Sequence, residues 1–154
     1  MRFLPAVISE EVSQMSEYNI KWWVPQNGPA ERKYLMEVLD RHFTNEGEFT
    51  SRFEKRIAEL TVAKFAVAVT SGTNPIFLSL KALGIGHGDE VIVPDITFIA
   101  TANAVDMCGA KPIFADVETG RATISIDSIR KLLNSRTRAI VPVHVSGRAS
   151  NMED

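Results

Sequence analysis

The sequence contains a single cysteine, Cys108, among 154 residues. That excludes an internal disulfide framework and a paired-cysteine metal site, and it makes Cys108 a small buried hydrophobe in a reducing compartment. Neither charge sign dominates: 17 Lys plus Arg against 19 Asp plus Glu leave a net charge of −2. With no basic block and no basic run interleaved with aromatics, a nucleic-acid partner is not expected. No apolar run approaches the ~20 residues that cross a bilayer. The short run Phe3 to Ile8 meets Glu10 and Glu11 without a small-residue cleavage site. Neither a signal peptide nor a membrane span is therefore expected, and the cytoplasm is the expected location. GxxxxGK[ST], HExxH and clustered metal ligands are also missing, so no metal is expected. Gly84, Gly86 and Gly88 follow a helix pattern and precede a strand pattern, the reverse of a dinucleotide loop. They read as a helix stop and a turn, with Asp89 and Glu90 solvated beside them.

What is present is enough for a core: 45% of the residues are hydrophobic, in a chain of single-domain length. Residues 1–27 read as an irregular lead-in carrying Trp22 and Trp23, and residues 28–154 as part of one α/β domain. A helix is expected from Pro29 to Phe43, with Leu35, Met36, Leu39 and Phe43 on one stripe. A second carries a capping-box pattern, Ser51 with Glu54, and is expected to bury Phe53, Ile57 and Leu60. From Lys64 onward, β-rich runs at 65–69, 90–94, 112–116 and 138–143 alternate with helix-length segments at 74–83, 98–108 and 125–133. That alternation predicts a mainly parallel sheet with helical crossovers, its strands apolar on both faces.

The most informative stretch is the turn after the first of these runs, Ser71-Gly72-Thr73-Asn74-Pro75. A helix opening there leaves backbone N–H groups without internal partners at the positive end of the helix dipole, which is a place to hold a phosphate. Asn74 suits the N-cap and Pro75 the first helical position. In open parallel sheets ligands sit beyond the carboxyl ends of the strands. Three loops carry distinctive residues to that rim: Ser71 to Asn74, Thr97 with Phe98, and His144 with Gly147 and Arg148.

Five pieces in order, Ser71-Gly72-Thr73, Gly88 to Pro94, Thr97 to Ala104, Gly109 to Pro112 and Pro142-Val143-His144, resemble the DegT/StrS-type sugar aminotransferases. Those are pyridoxal-phosphate (PLP) enzymes of fold-type I, and the resemblance runs from about Thr44 to the end. It implies the N-terminal part of the PLP-binding large domain. It implies Gly72, Thr73 and Asn74 as donors to the cofactor phosphate, although many relatives have alanine where Asn74 stands. Phe98 is implied as the aromatic that stacks on the pyridine ring. His144 is placed either facing the pocket or as a hydrogen-bonded support behind it. Asn103, within a helix, is equally suited to orienting a loop or touching ligand.

The implied reaction moves an amino group from a donor amino acid, commonly glutamate, to a nucleotide-linked keto-sugar, in a homodimeric enzyme. The implied lysine that forms the Schiff base and the aspartate that faces the pyridine nitrogen are expected beyond Asp154. Lys81, on a helix, and Lys111, in a turn, are poor substitutes, so the chain is expected to be inactive by itself. A PLP-dependent sugar dehydratase of the same family is an alternative. A non-catalytic α/β domain that binds a phosphorylated ligand or another protein is a second.

Overall fold

A computed structural model describes Lys21 and residues 24–153. Trp22, Trp23 and most of the expected lead-in lie outside the described residues. Contacts divide the chain into two compact units, 1–52 and 53–154.

In the first unit, helix α1 (Pro29–Asp40) starts at Gly28, whose N–H donates to the Glu31 carboxylate at 2.7 Å. A bond from its own backbone N–H, with that one, holds the Glu31 carboxyl below its ordinary value. The expected apolar stripe exists, but Leu35, Met36, Leu39 and Phe43 are all exposed. The unit is tied by polar and ring contacts instead. Arg41 bridges Glu37 and Glu48, while the Phe49 ring meets the Tyr34 ring edge-on at 5.8 Å.

Helix α2 (Glu48–Thr61) begins three residues before the expected cap. Ser51 is therefore inside the helix, its N–H bonded to Gly47 O, and the capping-box reading is corrected. Phe53 and Leu60 are exposed rather than buried. Glu54 has a different partner, the Ala68 N–H at 2.8 Å.

That bond bears on a second correction. Residues 65–69 do not form a sheet strand: Phe65 and Val67 are 76% and 77% exposed, and the Ala68 N–H goes to a side chain rather than to a neighbouring strand. An alternating apolar run becomes a strand only when a neighbour supplies ladder bonds, and no strand among the described residues pairs with it.

The second unit is built as α3 (Thr73–Ala82), β1 (Glu90–Pro94), α4 (Ala100–Met107), β2 (Lys111–Ala115), α5 (Ile126–Leu132) and β3 (Thr137–Ile140). The three strands form a parallel sheet in the order β2-β1-β3. Every residue of β1 is buried, which is why Val91 to Pro94 is a continuous apolar run rather than an alternating one. β2 and β3 are the edges and are only partly covered, so the two-sided burial expected of all strands holds for the centre alone. Pro112 is tolerated because an edge strand can spare an N–H.

Side chains alternate across β1. Val91 and Val93 pack with Leu80 of α3 and with Val105 and Cys108. Ile92 faces the other way, onto Ala115, Ile124 and Ile129 of α5. Cys108 is buried and free, as its sequence setting suggested.

Tight turns return the chain to the amino ends of the strands. Gly84 and Gly88 adopt φ of +75° and +89°, which fits a helix stop followed by a turn. Glu90, expected to be solvated, is instead buried. Its carboxylate accepts from Asn134 Nδ2 at 2.8 Å and from Arg136 Nε and Nη2 at 2.8 and 2.7 Å. These partners, Asn134 first, hold the Glu90 carboxyl below its ordinary value.

Candidate active site on the carboxyl rim of the sheet

Because α3 ends just before β1 and α4 starts just after it, both helices run against the strand direction. Their N-termini therefore lie toward the carboxyl ends of the strands, and the two helices pack on each other and on the same face of β1. Gly72 to Asn74 and Thr97 to Phe98 come to one rim in this way. The continuation of β3, Val141 to His144, reaches the same rim from the other side of β1.

At the first of these loops the helix starts earlier than the sequence suggested. Gly72 is the N-cap, with φ −65° and ψ −22°, and Thr73 is the first helical residue. Asn74 is the second, and its side chain donates from Nδ2 to Thr70 Oγ1 at 2.7 Å instead of capping. Pro75 falls at the third position, where a missing N–H still costs no helical bond. With the helix starting at Thr73, the backbone N–H groups of Gly72, Thr73 and Asn74 have no intrahelical acceptor. A Cβ built on Gly72 would meet nothing within 4 Å, so the space above this turn is open.

Phe98 is 78% exposed and is thus not a core phenylalanine at a helix start. Its backbone is fixed nonetheless. The Thr101 N–H donates to Phe98 O at 3.1 Å, and Thr101, itself buried, shares a hydroxyl bond of 2.9 Å with Thr97. An exposed apolar ring thus sits on a hydrogen-bonded backbone at this end of the sheet. Asn103 is exposed on α4, with its N–H spent on Ile99 O.

His144 is exposed as well, but its ring is not free to turn. Ser150 N–H donates to Nδ1 at 3.0 Å, and Ser150 Oγ donates to Val143 O at 3.1 Å. Reading the sequence missed Ser150, which sits in the polar stretch Arg148 to Asn151 with no pattern to single it out. A rim cavity of about 480 Å³ lies beside β2, lined by Ile96, Asp116, Glu118, Thr119, Gly120 and Arg148. It includes none of Gly72, Thr73, Asn74, Phe98 or His144. Lys81 and Lys111 lie at the opposite end of the sheet, in the last turn of α3 and at the first residue of β2.

The family and fold have counterparts among known proteins. Residues 25–154 match the DegT/DnrJ/EryC1/StrS aminotransferase family. Among curated relatives, a GDP-perosamine synthase of Caulobacter vibrioides is 40% identical over 130 residues, covering 84% of this chain and 35% of its own length. The spore coat polysaccharide biosynthesis protein SpsC of Bacillus subtilis is 38% identical over 140 residues, covering 91% of this chain and 36% of its own. The PLP form of a sugar aminotransferase, Spr1654 of Streptococcus pneumoniae, superposes with a TM-score of 0.82 at 28% identity, over 87% of this chain and 34% of that one. The chain spans about a third of the length of the relatives it matches.

Proposed function

Since the chain belongs to the DegT/DnrJ/EryC1/StrS aminotransferase family, we propose that it is the N-terminal part of the PLP-binding domain of a sugar aminotransferase. The reaction is transfer of an amino group from an amino acid, glutamate in this reading, to a nucleotide-linked keto-sugar. The naming of relatives for GDP-perosamine synthesis and for coat polysaccharide biosynthesis supports a sugar substrate.

The residues present fit the cofactor. The observation that carries the reading is the open N-terminus of α3, small and unobstructed at Gly72, on the same rim as the exposed Phe98 ring. Backbone N–H groups of Gly72, Thr73 and Asn74 with the Thr73 hydroxyl hold the phosphate, and the helix dipole adds to its binding. Phe98 covers one face of the pyridine ring, excludes water from that face, and contributes ~0.5–1.5 kcal/mol beyond the buried area. His144 supports the site from the β3 side. When bound, PLP supplies the electron sink for carbanion chemistry, while the protein orients it and moves the proton.

Lys81 and Lys111 are too far down the sheet for that proton transfer, so the chain alone does not transaminate. The lysine and the aspartate facing the pyridine nitrogen are supplied by residues beyond this span, in a homodimer.

Titrating ¹⁵N-labelled protein with PLP tests the site. The Gly72, Thr73 and Asn74 amide signals are expected to shift. Thr73→Val, which deletes one hydroxyl with little change of shape, should weaken binding by roughly tenfold or more, the effect of a hydrogen bond to a charged group. Amides that stay still while PLP binds would remove the assignment.

A further inference from the structure

We infer that Ser150 is a positioning residue that fixes His144 in a single tautomer, with Nε2–H offered on the carboxyl rim to an anionic oxygen of the bound ligand. The inference rests on the reading of that rim as the cofactor and substrate site.

The stretch from Val143 to Ser150 is closed on itself. Gly147 N–H donates to His144 O at 3.2 Å and Arg148 N–H to Val145 O at 3.0 Å, forming a short turn over Val145–Gly147. Ser146 and Gly147 both adopt left-handed φ, 51° and 76°, which reverses the chain so that Ser150 comes back to His144. Ser146 pays for that conformation where a glycine would not. A turn held at such a cost brings together one ring and one serine, and Ser150 is the residue of this loop that is buried, at 4% exposure.

Ser150 then acts twice. Its N–H donates to Nδ1, so in the neutral ring Nδ1 is the acceptor and the proton resides on Nε2. Its hydroxyl donates to the carbonyl of Val143, one residue before the histidine, and so anchors the backbone on which the ring is mounted. Nε2 has no protein partner among the described residues, and His144 is exposed. A ring with one nitrogen occupied from behind and the other presenting a donor to the rim suits a phosphate, phenolate or carboxylate oxygen.

Long-range ¹H–¹⁵N spectra of the His144 ring in the full-length protein, at a pH where the ring is neutral, test this. Wild type and Ser150→Thr are expected to show unprotonated Nδ1, protonated Nε2 and a coupling across the Ser150 amide hydrogen bond. Ser150→Ala keeps the N–H but deletes the hydroxyl anchor on Val143 O, so it should weaken the coupling, move the two nitrogen signals toward each other, and exchange the residue-150 amide up to about tenfold faster, as the bond's protection is reduced. Protonated Nδ1 in wild type overturns the inference, as does Ser150→Ala with unchanged ring signals. If Ser150→Ala does not fold, the wild-type coupling decides, and its absence overturns the inference. On adding PLP, the Nε2–H signal is expected to move together with the amides of Gly72 to Asn74. Amides that move without Nε2–H overturn the ligand half of the inference. If neither moves, the rim reading has failed and the ligand half with it, whereas the tautomer result stands by itself.

Discussion

Phe98 shows how a single residue separates stability from binding. With 78% of its surface exposed it contributes little to the core, so Phe98→Ala should leave the denaturation midpoint within the small range of surface substitutions. PLP affinity should nevertheless fall by roughly 2- to 10-fold, the equivalent of the stacking term. Equilibrium titration followed by absorbance checks this, and equal affinities would remove Phe98 from the site. Glu90 is the opposite case, a charge buried for structure. Its folded carboxyl lies below the ordinary 4.5 because Asn134 and Arg136 donate to it. A depressed carboxyl contributes stability that is fully present above the unfolded value and is lost as pH falls through the lower folded one. Stability is therefore expected to be flat with respect to this group above about pH 5 and to erode below 4.5. Glu90→Gln should lower stability at neutral pH and flatten that acid limb in denaturant melts taken as a function of pH. A variant with the wild-type pH slope would show that the contact is idle.

At the level of elements, the sequence was legible where burial alone sets the pattern and obscure where a distant partner does. The run Glu90 to Pro94 reads as a strand buried on both faces, and it is β1, the centre of the sheet. The run 65–69 reads the same way, but its status depends on ladder partners that no local pattern specifies. Glu90 was misread for the same reason, since Asn134 and Arg136 lie 44 and 46 residues away. The placement of the rim residues was legible, though not its details. Gly72, Thr73, Asn74 and Phe98 all sit at helix starts on one rim, because helix order and strand direction follow from the alternation of elements. The cap itself was displaced by two residues, since Asn74 prefers the Thr70 hydroxyl to the backbone. Ile92 offers a test of the element that carries everything else. It is fully buried against Ala115, Ile124 and Ile129. Ile92→Ala should cost ~2–5 kcal/mol, the range for deleting a large aliphatic side chain from a packed core. A loss well under 1 kcal/mol in urea melts would mean that the α5 face is loosely packed.

At the scale of the whole molecule, the second unit holds a three-stranded sheet whose edge strands β2 and β3 have no further strand partner among the described residues, and an apolar stretch, 65–69, that joins no strand there. Phe65, Val67 and Phe114 are all exposed. Open strand edges and apolar ribbons pair with other chains unless charge discourages them. The protein is accordingly expected to self-associate as concentration rises, and Val67→Lys should shift sedimentation profiles toward the monomer. Profiles identical to wild type would place the association elsewhere. No helix among the described residues is long and apolar enough to cross a membrane.

Pro75 carries a consequence of another kind. The opening turn of a helix normally presents four hydrogens with nothing to receive them, but a proline at the third position leaves only those of Gly72, Thr73 and Asn74. A phosphate monoester has as many unesterified oxygens as this turn has hydrogens left. An arriving ester can meet each of them, and none has to be stripped of water without compensation.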